Sequence, residues 1–304
     1  MTNEQRIKNL SVPQGRVDVV LDTDAYNEID DQFAIAYLLR SKDKLNTKAI
    51  YAAPFFNYKV SSPTEGMEKS YDEILNILKL SGEETPVFKG SKNYLADENT
   101  PAISDAAYDL AQRVNEYSPQ KPLYVVAIGA ITNVASAILL NPKVAENAVV
   151  IWLGGHAHHY HDTFEFNMRQ DVAAARVVVK SGAAFIQLPC RGVVSEFTLT
   201  KPELECWFKG KNELADYLVD ITIKEMEERE KSHLWSKVIW DVTAVAWLLN
   251  DDDRFMLSRI MTAPLPSYDN LYTQNHRGYP MRYVYSINRD NLMLDLFQKL
   301  TAQR

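Results

Sequence analysis

Through the first two thirds of the chain, short apolar runs alternate with helical patterns. The runs Val17–Leu21, Thr47–Ala53, Pro86–Phe88, Leu123–Ile128, Val149–Leu153 and Ala184–Leu188 read as strands. Between them, Asp31–Arg40, Glu65–Leu80, Ser104–Tyr117, Asn133–Leu140 and Asp171–Lys180 read as helices. The strands are mostly apolar rather than alternating, so both faces of their sheet need covering. Strand and helix in regular turn predict an α/β fold with an open, mostly parallel sheet flanked by helices. In such sheets, ligands bind beyond the carboxyl ends of the strands.

The last third changes character. Lys201–His233 reads as two helices, the second long and charged from Glu213 to Lys231. Asp241–Leu249 is an apolar helix opened by an aspartate. Arg254–Thr262 and Met281–Ile287 form a small β region, and a helix from Asn291 to Ala302 closes the chain. Pro264–Gly278 is turn-rich and reads as a surface excursion. No linker separates these parts, so residues 1–304 are expected to form a single α/β domain with a helical insertion.

Composition narrows the function. Hydrophobic residues make up 46% of the 304, enough for a sizeable core. A net charge of −7 argues against a nucleic-acid backbone or an anionic membrane as partner. The N-terminus is polar, with no apolar stretch of signal-peptide length, and two cysteines cannot build a disulfide framework. A cytoplasmic protein acting on a small molecule is the expectation.

Candidate chemistry concentrates in residues 20–36. The apolar strand delivers Asp22 and Asp24 at its carboxyl end, and after a short loop Asp30-Asp31 opens an apolar helix. With Glu28, five carboxylates meet at one strand-to-helix turn. Like charges packed together require a cation or shared protons. Several oxygen ligands suit a hard ion such as Ca²⁺ or Mg²⁺. Acidic residues in a first helical turn are common caps. That explains Asp30 and Asp31, but not Asp22 and Asp24 as well.

Four further motifs follow in order: Ala127-Ile-Gly-Ala-Ile-Thr132-Asn133, Leu153-Gly-Gly155, Glu165-Phe-Asn167 and Trp240-Asp241. Together with the acidic turn, this set resembles the inosine/uridine-preferring nucleoside hydrolase family from about Val17 to Leu248. The resemblance implies an open α/β sheet, a Ca²⁺ ion at the bottom of the pocket, and hydrolysis of the N-glycosidic bond of ribonucleosides by a metal-bound water. It implies Asp24, Asp31, the Ile128 carbonyl and Asp241 as metal ligands, with Asp22 supporting them from behind. Asp30, Asn57, Glu165 and Asn167 are implied as ribose contacts. Asp24 is our candidate general base. Family members are usually dimers or tetramers, so a homodimer or homotetramer is expected.

These residue types suit the chemistry. Cleaving a nucleoside passes through an oxocarbenium-like sugar, which nearby carboxylates stabilise. A metal-acidified water gives its proton to an adjacent aspartate. Vicinal hydroxyls call for Asp, Asn and Glu partners.

Two departures mark this chain. Five residues, Ala25–Ile29, separate Asp24 from Asp30-Asp31, where the family has three, so Asn27 or Glu28 can enter the site. Trp240 stands where many members carry the histidine that protonates the leaving base, and tryptophan only donates a hydrogen bond. Trp240 can stack on the base, Tyr26, Phe55, Phe56 and Trp235 offer further aromatic surface, and His233 is a candidate acid. The run His156-Ala-His158-His159-Tyr-His161 has three readings: a substrate contact, a solvated polar loop, or a zinc site. Gly154-Gly155 permits close backbone approach, and Cys190 reads as structural. The rival functions are a related hydrolase of another pentoside or glycoside, and a ribose- or nucleoside-binding protein without turnover.

Overall fold

The computed structural model describes residues 1–229 and 234–302. Its strands are β1 (Val17–Thr23), β2 (Leu45–Ala52), β3 (Val87–Lys89), β4 (Leu123–Ala127), β5 (Ala148–Leu153) and β6 (Ala184–Leu188). The later strands are β7 (Thr198–Thr200), β8 (Ser236–Val238), β9 (Met256–Thr262), β10 (Leu265–Pro266), β11 (Tyr272–Thr273) and β12 (Pro280–Ile287). Eight of them form one sheet in the order β3-β2-β1-β4-β5-β6-β12-β9. All neighbours run parallel except β12 and β9, which are antiparallel.

The predicted α/β class is the one observed, and the six apolar runs are the first six strands. β4 and β5 are wholly buried, as unalternating apolar runs in a two-faced sheet must be. The late β region, expected as a small part of the same domain, for the most part joins the central sheet. β12 pairs with β6, and β9 pairs with β12, so both extend the central sheet. Two-stranded ribbons, β7 with β8 and β10 with β11, lie outside it. No described helix is long and apolar enough to cross a membrane.

Chain direction around the sheet reverses between β1 and β4. From β1 the order runs through β2 to β3 on one side and from β4 to β6 on the other. The connections after β1 and β4 therefore part to opposite sides and leave a crevice at the carboxyl ends. The helix Asp30–Leu39, which follows β1, is buried at all ten positions. A helix with no polar face belongs in the middle of a layer. It packs against the helix Val242–Trp247, and this contact brings the late Asp241 to the tip of β1.

Candidate active site

The crevice holds a cavity of about 220 Å³. Its floor is acidic. Asp24, Asp30, Asp31 and Asp241 line it, and all four are buried. Side-chain oxygens of Asp30, Asp31 and Asp241 lie within 4.8 Å of one another. Asp24 follows directly on β1, and the Asn27 amide donates to its carbonyl at 2.7 Å, which turns the chain towards the helix. Asp31 accepts from Thr23 Oγ1 at 2.5 Å. Asp22 sits behind the floor and does not line the cavity. Its Oδ1 accepts from the Asn133 amide at 2.8 Å.

These carboxyls raise one another's affinity for protons. Burial pushes Asp31 up to about 7, with the neighbouring Asp30 adding to it. Burial, followed by the negative charges around them, pushes Asp24 and Asp241 well above the ordinary range. Burial alone pushes Asp22 up to about 7, against the Asn133 hydrogen bond. Asp22 Oδ2 and Asp24 Oδ2 are buried without a hydrogen-bond partner among the described residues. Three convergent carboxylates and orphaned oxygens form a hard-oxygen donor set, so these residues fit a divalent cation of the Ca²⁺ or Mg²⁺ kind.

The walls come from three other strand ends. Ile128 follows β4, and its carbonyl accepts the Asn167 side-chain amide at 3.0 Å. The same amide reaches the Leu153 carbonyl at 2.9 Å, so Asn167 ties the ends of β4 and β5 together. Gly129 leaves room for the floor: a Cβ at this position would lie 2.9 Å from Asp24 Oδ1, so the carboxylate would have to shift. Glu165 caps the helix Phe166–Gln170, accepting from the amides of Asn167 (2.9 Å), Met168 (3.0 Å) and Gly155 (2.9 Å). Cys190, past β6, also lines the cavity and hydrogen-bonds Glu165. Phe164, Phe166, Arg191 and the half-buried Trp240 complete the lining.

The longer loop is placed as well. Asn27 and Glu28 both line the cavity. Asn57 does not line it; its amide donates to Asn27 Oδ1 at 2.8 Å and so holds the loop from outside. Of the candidate aromatics, Phe55 and Trp235 are buried in the body, while Tyr26 and Phe56 are exposed and face elsewhere. His233 lies outside the described residues.

The histidine run separates into different environments. His158 Nε2 is 2.9 Å from Gln187 Oε1, and its ring packs between Tyr272 and Tyr283. His159 and His161 are exposed. His156 is 5% exposed and lines the cavity. The four do not converge: among the described residues, only Asp30, Asp31 and Asp241 group as possible metal ligands.

Lys237 was missed by the sequence reading. It is buried, pairs with Glu28, and its Nζ lies 3.6 Å from Asp30 Oδ1. Burial works against its charge, but Asp30 and Glu28 raise its pKa overall. Burial also pushes Glu28 up, but Lys237 carries it below the ordinary value. A signal existed. In Trp235-Ser-Lys-Val-Ile239, Lys237 shares strand parity with two buried apolar residues and so points inward.

The chain and its fold are matched by known proteins. A profile described as inosine-uridine preferring nucleoside hydrolase matches residues 19–283. No curated protein matches by sequence. A plant nucleoside hydrolase shares the fold with a TM-score of 0.75 at 22% identity, over 96% of this chain and 100% of its own. A purine-preferring ribonucleoside hydrolase from Gardnerella vaginalis gives 0.73 at 19%, over 93% and 98%. The type III effector XopQ, solved with adenosine diphosphate ribose, gives 0.66 at 15%, over 99% of each chain. At these identities the solved structures show the fold.

Proposed function

Because the chain belongs to the inosine-uridine preferring nucleoside hydrolase family, whose members are hydrolases of N-glycosyl compounds, we propose that it cleaves ribonucleosides to ribose and free base with the help of Ca²⁺. One observation carries the reading: the convergent Asp30, Asp31 and Asp241 share a single cavity with Asp24, Asn167 and Trp240. Carboxylates, an amide and an aromatic face are the partners a sugar and a base require.

Asp24, Asp31, Asp241 and the Ile128 carbonyl would hold the ion, with Asp22 fixing Asp24 from behind. When bound, the cation supplies positive charge that orients ribose hydroxyls and acidifies the attacking water. Asp24 takes the proton from that water. Asp30 accepts from a ribose hydroxyl, held in place by Lys237. Asn167 contacts the sugar from the opposite wall, and Glu165 adds negative charge beside the developing oxocarbenium ion. Asn57 acts through Asn27 and the loop rather than by touching the sugar. Trp240 covers the base. Water adds directly to C1′ with no covalent intermediate.

In this reading one domain, residues 1–304, works as a cytoplasmic homodimer or homotetramer. The test is release of base from inosine, adenosine, uridine and cytidine, with Ca²⁺ or with chelator. Base release that depends on Ca²⁺ supports the proposal; no release from any nucleoside under either condition ends it. A second reading has its own observation, the absence of a histidine before Asp241. It makes the substrate another pentoside, or makes the chain a binder of ribose-bearing ligands. Nitrophenyl riboside turnover without nucleoside turnover, or calorimetric ribose binding without product, would favour it.

A further inference from the structure

Breaking the C1′–N bond leaves an electron pair on the base, and a poor leaving group needs a proton at that moment. Trp240 cannot give one. Within the described lining of the cavity there is one histidine, His156. It follows Gly154-Gly155 past the end of β5 and is 5% exposed. Its Nε2 lies 3.9 Å from Asp162 Oδ1. Its Nδ1 is buried and has no hydrogen-bond partner among the described residues. An imidazole that lines the cavity, with a carboxylate near one nitrogen and no partner on the other among the described residues, has the parts of a proton carrier.

Resting on the hydrolase reading above, we propose that His156 is the leaving-group acid, doing from the β5 loop what a histidine before Asp241 would otherwise do. The atoms balance. Water oxygen bonds to C1′ as the C1′–N bond breaks, and the bonding pair moves to the base nitrogen. The imidazolium gives its proton to the base and becomes neutral imidazole. The proton lost by water goes to Asp24. The products are ribose and neutral base, and solvent then returns a proton from Asp24 to His156.

Burial, then the Arg191 charge, hold the His156 imidazole below its ordinary pKa, with His161 adding to them; Asp162 and the Phe164 backbone offset part of this. A lowered pKa makes the imidazolium a stronger acid once it is formed. Asp162 Oδ1 also accepts from the Phe164 backbone amide at 2.9 Å, which fixes the carboxylate on its own loop. That makes Asp162 a positioning residue for the ring.

Two substrates separate this role from ribose binding. Inosine needs its base protonated, whereas 4-nitrophenyl β-D-ribofuranoside leaves as a stable phenolate. In His156→Gln, kcat/KM for inosine should fall by about 100-fold or more, and that for the nitrophenyl riboside by less than about 3-fold. Calcium binding by calorimetry should not change, which shows that the variant is folded and its floor intact. Asp162→Asn should show the same selective loss at about 10-fold, and does so even if His156→Gln fails to fold. Equal loss on both substrates makes His156 a sugar contact and overturns the proposal, as does an unchanged rate on inosine. A wild-type protein that turns over neither compound removes the hydrolase reading itself, and this assignment with it.

Discussion

The floor and the rim of the cavity are built by different means. The floor depends on backbone geometry. Asp22 and Asp24 occupy the tip of a central strand, Asp30 and Asp31 open the helix after it, and Asp241 arrives on a helix packed against that one. Their positions follow from parallel register and a reversal in strand order. The rim consists of loops: Ala25–Ile29, the stretch from Gly154 to Glu165, and the segment before Trp240. Each is fixed by side chains, through Asn57 on Asn27, the histidine run on Gln187 and Asp162, and Lys237 on Glu28. Chemistry common to a family can reside in the floor, while preference for one leaving group resides in the rim.

The largest test of that division is on the floor. Asp241→Ala or Asp31→Ala should abolish Ca²⁺ binding and reduce turnover by about 10³-fold or more. Stoichiometric calcium in either purified variant would remove that residue from the ligand set.

Lys237→Met probes the join between floor and rim. It leaves the buried Asp30 and the half-buried Glu28 without their counter-charge; solvent screens Glu28, so the cost lies at the lower end of a broken buried pair, about 3 kcal/mol. Denaturant unfolding should show this loss, and a change under about 1 kcal/mol would mean the pair is already solvated.

Asn167→Ala removes a tie between two strand ends and the proposed sugar contact at once. We expect kcat/KM to fall about 10- to 100-fold with calcium binding retained. Unchanged kcat and KM would take Asn167 out of the sugar site.

The smallest effect distinguishes the floor by pH. In metal-free protein Asp22 and Asp31 titrate near 7, against an ordinary value of 3.8. Between those values the folded state holds protons that the unfolded chain has released. Stability should therefore fall as pH rises from about 4 to 7, and recover none of it above. The Tm of chelated protein should drop across that window, and that of calcium-loaded protein should change less. Parallel curves would show that the cation does not neutralise these carboxyls.

Much of the floor was legible because it is local. An apolar run ending in Asp22-Thr-Asp24, followed by Asp30-Asp31 and an apolar helix, places four carboxylates by short-range rules alone. The eight-stranded sheet was legible in its first six strands for the same reason. β9 and β12 were not placed in it, because β12 pairs with β6 across nearly a hundred positions of the chain and β9 joins only through β12. Lys237 stayed hidden because its partners, Glu28 and Asp30, lie over two hundred residues upstream. The turn-rich stretch Pro264–Gly278 looked like surface, yet Tyr272 from it donates to the His156 carbonyl at 3.2 Å and supports the cavity wall. Spacing does not report such returns.

Glu165 has a consequence for how a ligand arrives. With three amides and a thiol already bound to its carboxylate, the wall it anchors lost its conformational freedom when the chain folded. A sugar entering the crevice meets a surface that needs no rearrangement, so the entropic toll of ordering a lid does not fall on the encounter. Association should then be governed by diffusion through the mouth, with a bimolecular rate that does not level off as ligand concentration rises.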